Sequence, residues 1–130
     1  MGEKVPLAIT KNFISLFSDS GKVILQIEAP LRKDYLDNEF YSELPEGIKL
    51  TFFDGNGKVL AHLTADYALI RGSGMFIQGN VKMNSDKNGL LTTESLVWNS
   101  EKKEITTIDA VTIRQERKVI IGQGLWAKQD

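Results

Sequence analysis

The chain has 130 residues, 42% of them hydrophobic and 25% charged, and its 16 basic and 17 acidic side chains leave a net charge of -1. This length fits one domain with a single core, and singly scattered lysines and arginines disfavour a nucleic-acid surface, which needs clustered positive charge. The absence of cysteine excludes disulfides, thiolate metal sites and thiol nucleophiles, and no apolar run approaches the ~20 residues that span a bilayer.

Strand signals begin soon after the N-terminus. The opening "MGEKVP" predicts that residues 1–9 are a cloning remnant or flexible tail, and residues 10–130 are predicted to form one domain. In "NFISLFSDSGKVILQIEAP", two runs of alternating apolar and polar residues flank the turn-forming "SDSG". This pattern predicts a β-hairpin.

The next stretch, "APLRKDYLDNEFYSELPEG", breaks the pattern. Two prolines, five acids and no clean period predict a long connection over the sheet edge or a short irregular segment, and mark this stretch as the best candidate for a mobile loop. Its carboxylates have no histidine beside them, so a solvated loop is favoured over a metal site. These acids are Asp34, Asp37, Glu39, Glu43 and Glu46.

Alternation resumes in "KLTFFDGNGKVLAHLTADYALI", with two arms joined by "DGNG". Further runs follow in "GMFIQGNVKMNSDKNGLLTTESLVWNS" and in "EITTIDAVTIRQERKVIIGQGLWAKQD", each containing a turn signal. No window shows a helical period. The sequence therefore predicts an all-β, antiparallel fold with very little helix.

Candidate catalytic chemistry is sparse. His62, the single histidine, falls on the polar side of a predicted strand and has no catalytic motif around it. "DGNGK" lacks the remaining ligands of a calcium loop, and the glycine pairs "GSG" and "GQG" lack the helix that a phosphate loop requires. We expect no enzyme activity, no metal site and no cofactor.

An ordered series of segments resembles the LptC family and its LptA- and OstA-type relatives. The resemblance covers residues from about 10 to the C-terminus and is carried by "SDSGKVILQIEAP", "PEGIKLTFFDGNGKVLAHLTADYA", "GNVKM", "LLTTESLVWN" and "IDAVTIRQERKVIIGQGLWA". It implies an open, twisted antiparallel β-jellyroll, a boat-shaped stack of hairpins with an apolar interior for the acyl chains of lipopolysaccharide.

The resemblance also implies partners and a location. A member of this family receives lipopolysaccharide from an inner-membrane ABC transporter and passes it to a downstream LptA-like periplasmic carrier. It resides in the periplasm, tethered to the inner membrane by an N-terminal segment that this sequence does not show.

Apolar positions of the predicted strands give the expected lipid-binding set. Small residues among them are typical of spare interior room, although they also allow sheets to approach closely. The set is Leu25, Ile27, Leu50, Phe52, Ala61, Leu63, Ala65, Ile77, Val81, Leu96, Ile113 and Ile121.

The last strand is predicted to be an edge at which the downstream carrier docks by strand addition, because it is apolar, lacks proline and has glycines that would keep its centre flat. The expected edge residues are Ile120, Gly122, Gln123, Gly124 and Leu125. The alternative function is a β-sandwich module that binds carbohydrate or a protein through exposed aromatic residues. The candidates for that surface are Trp98, Trp126, Phe53 and Phe76.

Overall fold

Ten antiparallel β-strands build the protein in a computed structural model that describes residues 4–129. The strands are β1 (Ala8–Asp19), β2 (Lys22–Asp37), β3 (Glu39–Leu44), β4 (Ile48–Phe53), β5 (Val59–Ala65), β6 (Tyr67–Arg71), β7 (Gly74–Ser85), β8 (Gly89–Asn99), β9 (Glu104–Gln115) and β10 (Lys118–Lys128). The prediction of an all-β antiparallel fold is confirmed. Within the described range, no helix is long and apolar enough to cross a membrane.

The predicted hairpin turns form as their residues require. Ser20 and Gly21 both have positive φ, at 53° and 78°, between the paired residues Asp19 and Lys22. Such a two-residue turn matches the twist of the strands it joins. In the "DGNG" turn, Asp54 accepts hydrogen bonds from the backbone N–H groups of Lys58, at 3.0 Å, and Asn56, at 2.8 Å. These bonds hold the pKa of Asp54 below its ordinary value.

The predicted mobile connection over residues 29–47 is wrong. Strand β2 continues through Asp37, and β3 starts at Glu39 after a reversal at Asn38, whose φ is 63°. The side chains of Tyr35 and Tyr41 lie opposite each other and stack with their ring centroids 5.1 Å apart. This segment is therefore a hairpin packed into the sheet.

Ion pairs explain why so many charges occur in a hairpin. Arg32 contacts Asp34 at 2.7 Å, Lys4 contacts Asp37 at 2.6 Å, and Arg71 contacts Glu39 at 3.0 Å. Asp37 and Glu39 have cation partners outside their own strands, whereas Asp34 pairs with Arg32 two residues away on the same strand. Composition alone does not reveal such pairing.

Strand β1 begins inside the segment predicted as a tail. Ala8 and Ile9 pair with Asp34 and Lys33, and the N–H of Leu7 donates to the carbonyl of Asp34 at 2.7 Å. Residues 1–3 of the predicted tail lie outside the described residues, as does Asp130. The division into a tail and one domain stays a prediction.

The sheet closes partly on itself because β2 and β7 each pair with different strands along their length. The first half of β2 pairs with β4, and its second half pairs with β3. Likewise β7 pairs with β6 near its start and with β5 near its end. Strand pairing therefore forms a closed circuit, which runs from β2 through β4, β5, β7, β6 and β3 and back to β2. Strands β8, β9 and β10 extend the sheet beyond this circuit. This arrangement is a β-jellyroll.

A line of irregular residues divides the roll into two walls. The pairing of β7 with β8 shifts between Gln78 and Val81, where Gly79 and Asn80 have φ of 88° and 46°. A further shift follows between Thr93 and Val97. We call this line the crease. Bulges bend strands and increase their twist, so the long strands turn there from one wall to the other.

The two walls enclose an apolar core. Its central side chains are 0–1% exposed, and they come from six different strands. They are Leu25, Leu44, Leu50, Leu63, Ile77, Val81 and Leu96. Burying such side chains contributes roughly 1.5–3 kcal/mol each before the entropy of ordering is counted.

One prediction concerns pH. Burial alone would raise the pKa of Asp34, but hydrogen bonds from Ser42, at 2.6 Å, and Arg32, at 2.7 Å, outweigh it and hold the pKa below its ordinary value. A lowered carboxyl pKa stabilises the fold above the unfolded-state pKa, and this stabilisation is lost as the pH falls through the folded-state pKa. We expect Asp34→Asn to lower the free energy of unfolding by about 1–2 kcal/mol at pH 7. Urea melts should show this deficit shrinking below about pH 4.

The control is Asp86→Asn, because Asp86 lies in the exposed turn between β7 and β8. A deficit for Asp34→Asn that stayed constant down to pH 2 would contradict the role assigned to this carboxylate.

Candidate functional site

One apolar row crosses seven strands on the inward face of the sheet. Residues directly opposite each other in neighbouring antiparallel strands share a face. The register therefore places seven side chains in one line, in the order Ile27, Leu50, Leu63, Met83, Leu91, Ile113 and Ile120. At about 4.8 Å per strand, the row is roughly 29 Å long.

Exposure changes along this row. Leu50 and Leu63 are fully buried where the two walls face each other, Leu91 is 7% exposed, and Ile120 on β10 is 43% exposed. The row thus runs from the packed core to an apolar surface that opens at the edge of the sheet. We call the part formed by Leu91, Ile113 and Ile120 the open end of the row.

Eleven of the twelve predicted lipid-binding residues lie on this inward face. Nine of them are buried, and Ala61 and Ile113 are partly buried. The structure brings them into one continuous lining, in which Leu25 is opposite Phe52 and Phe52 is opposite Ala61. Their role in lipid binding stays a prediction. The nine buried residues are Leu25, Ile27, Leu50, Phe52, Leu63, Ala65, Ile77, Val81 and Leu96.

Ile121 is the exception, because it faces outward. It lies opposite Thr112 and is 76% exposed, whereas its neighbour Ile120 lies opposite Ile113. The cause is a bulge between Gln123 and Leu125, which reverses the alternation within β10. Simple alternation from the inward Leu125 predicts that Ile121 also faces inward. The bulge lies between these two residues, and on its far side the inward residue is Ile120.

Three residues of the apolar row are absent from the predicted lipid-binding set: Met83, Leu91 and Ile120, of which Ile120 is predicted as an edge residue. Met83 shares the alternation of Ile77 and Val81, whereas Leu91 lies beyond the crease from Leu96, where the alternation of β8 changes. In the run "LLTTESLVW" the inward residues change from odd to even positions between Leu91 and Leu96, but Leu90 and Val97 are also apolar and hide this change in the sequence. Such a change indicates a bulge.

The expectation that glycines keep the last strand flat is also wrong. Gly124 has a φ of 84° and forms the bulge in β10, where a side chain would lie 3.4 Å from the carbonyl of Thr107. Gln123 reaches across this bulge and donates to the carbonyl of Ile108 at 2.7 Å. The strand is nevertheless an edge, because within residues 4–129 its ladder partner is β9 alone.

A groove of about 590 Å³ opens between β1, β2, β4 and the end of β5. Its apolar lining includes Phe13, Ala29, Ile48 and Ala65. Ala29 and Ala65 border this groove with side chains that end at Cβ. The expectation that small residues give room in the interior stays a prediction. Of the predicted lipid-binding set, Ala65 lines this groove.

The opposite side of the roll is held shut by contacts between the walls. The rings of Phe17 and Trp98 meet edge to face at 5.4 Å, and Lys103 pairs with Asp19. The side chain of Gln129 donates to the carbonyl of Ile24 at 2.8 Å and accepts from the indole of Trp98 at 3.2 Å. Apolar guests therefore have easier access at the open end of the row than along this side.

The candidate catalytic and metal residues remain apart. His62 is exposed, and its Nδ1 lies 3.3 Å from the hydroxyl of Thr51. Glu43 accepts a hydrogen bond from Tyr67, and the other three acids of the β2–β3 hairpin occupy the ion pairs described above. Glu46 lies beyond the hairpin, in the turn before β4. Among residues 4–129, no three His, Asp or Glu side chains are grouped to hold a metal ion.

Comparison with known families gives one match to the chain. A family model described as "Lipopolysaccharide-assembly, LptC-related" matches residues 3–130. No curated protein matches the sequence. The match spans all ten strands, including the apolar row and the β10 edge.

Proposed function

The chain belongs to the LptC-related family, and on this premise we propose that it is a periplasmic relay that accepts lipopolysaccharide from an inner-membrane ABC transporter and passes it to a downstream LptA-like carrier. The family match supports a role in lipopolysaccharide transport. The relay itself, its partners and its tether to the inner membrane are our proposal.

The apolar row is the observation that carries this proposal. A closed protein would cover such a row along its whole length, yet here it ends in the partly exposed Ile113 and the 43% exposed Ile120. Monomeric proteins seldom leave continuous apolar surface uncovered without a functional reason. An acyl chain is apolar along its length and fits a row of this kind.

Burial of methylenes supplies the binding free energy. Each methylene removed from water contributes roughly 0.8 kcal/mol, so a few acyl chains provide ample affinity even after the cost of association is subtracted. A second carrier with a similar apolar row offers the chains the same environment. Transfer between the two then needs no chemical step in this protein.

The tightly packed centre of the roll limits where the acyl chains can bind. Leu50 and Leu63 are fully buried. A close-packed core has no room for a guest unless the packed side chains move apart. Lipid therefore first contacts the open end of the row, and deeper insertion requires separation of the walls. The groove beside Ala29 and Ala65 provides further space.

Strand β10 is the surface that we propose for transfer to the downstream carrier. Its outer edge is free of a ladder partner within the described range, and the inward residues Ile120 and Leu125 lie directly behind it. An added strand from the carrier would pair with this edge and extend the apolar row into the next protein.

Photo-crosslinking at adjacent positions tests the lipid site. A photo-reactive amino acid at Ile120 faces the row, and one at Ile121 faces outward from the same edge strand. We expect the Ile120 variant to capture lipopolysaccharide at least fivefold more efficiently, because acyl chains bind on the inward face. The measurement is a gel shift probed for lipopolysaccharide.

Both variants lie at adjacent positions of one strand, and the outward Ile121 is the more exposed of the two, at 76% against 43%, so greater capture at Ile120 cannot come from solvent access. Equal capture at the two positions would contradict lipid binding on the apolar row.

A proline substitution tests the proposed transfer edge. Gln123→Pro removes a backbone donor and stiffens β10 at its bulge, which should weaken docking of the purified downstream carrier by at least tenfold. Lipopolysaccharide capture at Ile120 should change less than twofold. Biolayer interferometry measures the first quantity.

Glu116→Pro is the control, because Glu116 lies in the turn between β9 and β10, where φ is not positive. Thermal melts of both variants establish that they remain folded. A folded Gln123→Pro protein with unchanged affinity for the carrier would remove β10 as the transfer edge.

A further inference from the structure

The outward face of the second wall carries a continuous stripe of mostly apolar residues. Leu69 lies opposite Phe76, Phe76 opposite Val97, Val97 opposite Thr106, and Thr106 opposite Trp126. These five residues form the outer stripe, which crosses β6 to β10. At about 4.8 Å per strand, Phe76 and Trp126 lie roughly 14 Å apart.

Burial of the neighbouring positions confirms that the stripe faces outward. Phe76 is 44% exposed and Trp126 is 62% exposed, whereas Met75 and Ile77 on either side of Phe76 are 3% and 1% exposed. Leu125 and Ala127 flank Trp126 and lie opposite Thr107 and Ile105, which are buried. The stripe is thus separated from the apolar interior by the thickness of the sheet.

The ring of Phe76 lies against the sheet. Two of its ring atoms are 3.1 Å from the position that a Cβ on Gly74 would occupy. The ring covers the glycine backbone and so presents a flat face to solvent. An aromatic ring packed over a neighbouring glycine is a known device for protecting the backbone of a strand.

Polar side chains border the stripe on both sides. On one side, Asn99 lies opposite Glu104, and Glu104 lies opposite Lys128. On the other side, Gln78 lies opposite Ser95. These amides, hydroxyls and charged groups provide both donors and acceptors at the borders of an apolar surface.

We infer that the outer stripe binds saccharide, and specifically the sugar chain of the amphiphile whose acyl chains occupy the apolar row. This inference rests on the proposed function, because it assigns the two parts of one lipopolysaccharide molecule to two faces of the sheet. Pyranose rings have apolar C–H faces that pack on aromatic rings, and their hydroxyls need the hydrogen-bonding groups found along the borders.

The position of Trp126 connects the two surfaces. It lies on the edge strand β10, and its sequence neighbours Leu125 and Ala127 face inward. A sugar chain attached to a lipid at the open end of the row reaches Trp126 by crossing the backbone of this single strand and running six residues, roughly 20 Å, along it from Ile120. It then follows the outer stripe towards Phe76.

The exposed area favours a saccharide over a second copy of the chain. Two aromatic side chains of about 200 Å² each, roughly half exposed, offer on the order of 200 Å² of aromatic surface. A stable protein interface needs about 800 Å² from each partner. A short oligosaccharide covers a surface of this size without leaving apolar area exposed.

Nuclear magnetic resonance of the whole chain, labelled with ¹⁵N, tests the inference. The probe is the lipid-free polysaccharide released from lipopolysaccharide by mild acid. The two tryptophan indoles report on different faces, since Trp126 is 62% exposed and Trp98 is 2% exposed. We expect saturable shifts of the Trp126 indole and of the Phe76 and Val97 amides, with the Trp98 indole unchanged.

Matched variants locate the binding surface. Trp126→Ala and Phe76→Ala should each weaken polysaccharide binding at least fivefold, and Phe76→Tyr should keep it within twofold because the flat ring remains. Ile9→Ala is the control, since Ile9 is an exposed apolar residue, at 56% exposure, on β1, which pairs with β2 and contributes nothing to the outer stripe. The same spectra show whether each variant is folded.

The outcomes separate this inference from the relay. No saturable shift in the wild-type chain, together with lipopolysaccharide capture at Ile120, would overturn the outer stripe as a saccharide site and leave the relay standing. Polysaccharide binding without capture at Ile120 would overturn the assignment of both faces to one molecule. If Trp126→Ala abolished a dimer in analytical ultracentrifugation and kept polysaccharide affinity, the stripe would be a contact between copies.

Discussion

The rest of the structure depends on one constraint: side chains must alternate between the two faces of strands that bend at the crease. A strand has one inward residue in every two, yet each long strand of this roll lines two walls in succession. The bulges in β8 and β10 reset the alternation at the crease, so that Leu91 and Leu96 both face the interior, as do Ile120 and Leu125. Without these shifts, one wall would turn its apolar residues to solvent.

The same constraint produces both surfaces to which we assign a function. On the inward side it aligns the seven residues of the apolar row, from the packed Ile27 to the exposed Ile120. On the outward side it aligns Phe76 with Trp126 across four strands. The roll is shut on one side by the contacts of Trp98 and Gln129, and the row is open at β10. An amphiphile with an apolar part and a sugar part can therefore bind at one edge and occupy both faces.

The sequence predicts most of this fold because strand alternation and turn residues are local signals. Ser20 and Gly21 specify their turn, and the inward positions of β2, β4 and β5 follow from simple alternation. The prediction that Ile121 faces inward is wrong because a bulge depends on the register of two paired strands, and Gly124 alone does not indicate one. The hairpin around Asn38 was missed for a similar reason, since its acids are balanced by Lys4 and Arg71 from distant parts of the chain.

Contacts between acyl methylenes and the methyl groups of the open end test the central claim most directly. Ile113 and Ile120 face the row, while Ile108 and Ile121 are 87% and 76% exposed on other surfaces of the same two strands. With isoleucine methyl groups labelled in ¹³C and lipid A bound in detergent-free buffer, nuclear Overhauser effects from the acyl chains should appear at Ile113 and Ile120. They should be absent at Ile108 and Ile121, and contacts of equal strength at all four residues would contradict an acyl site on the apolar row.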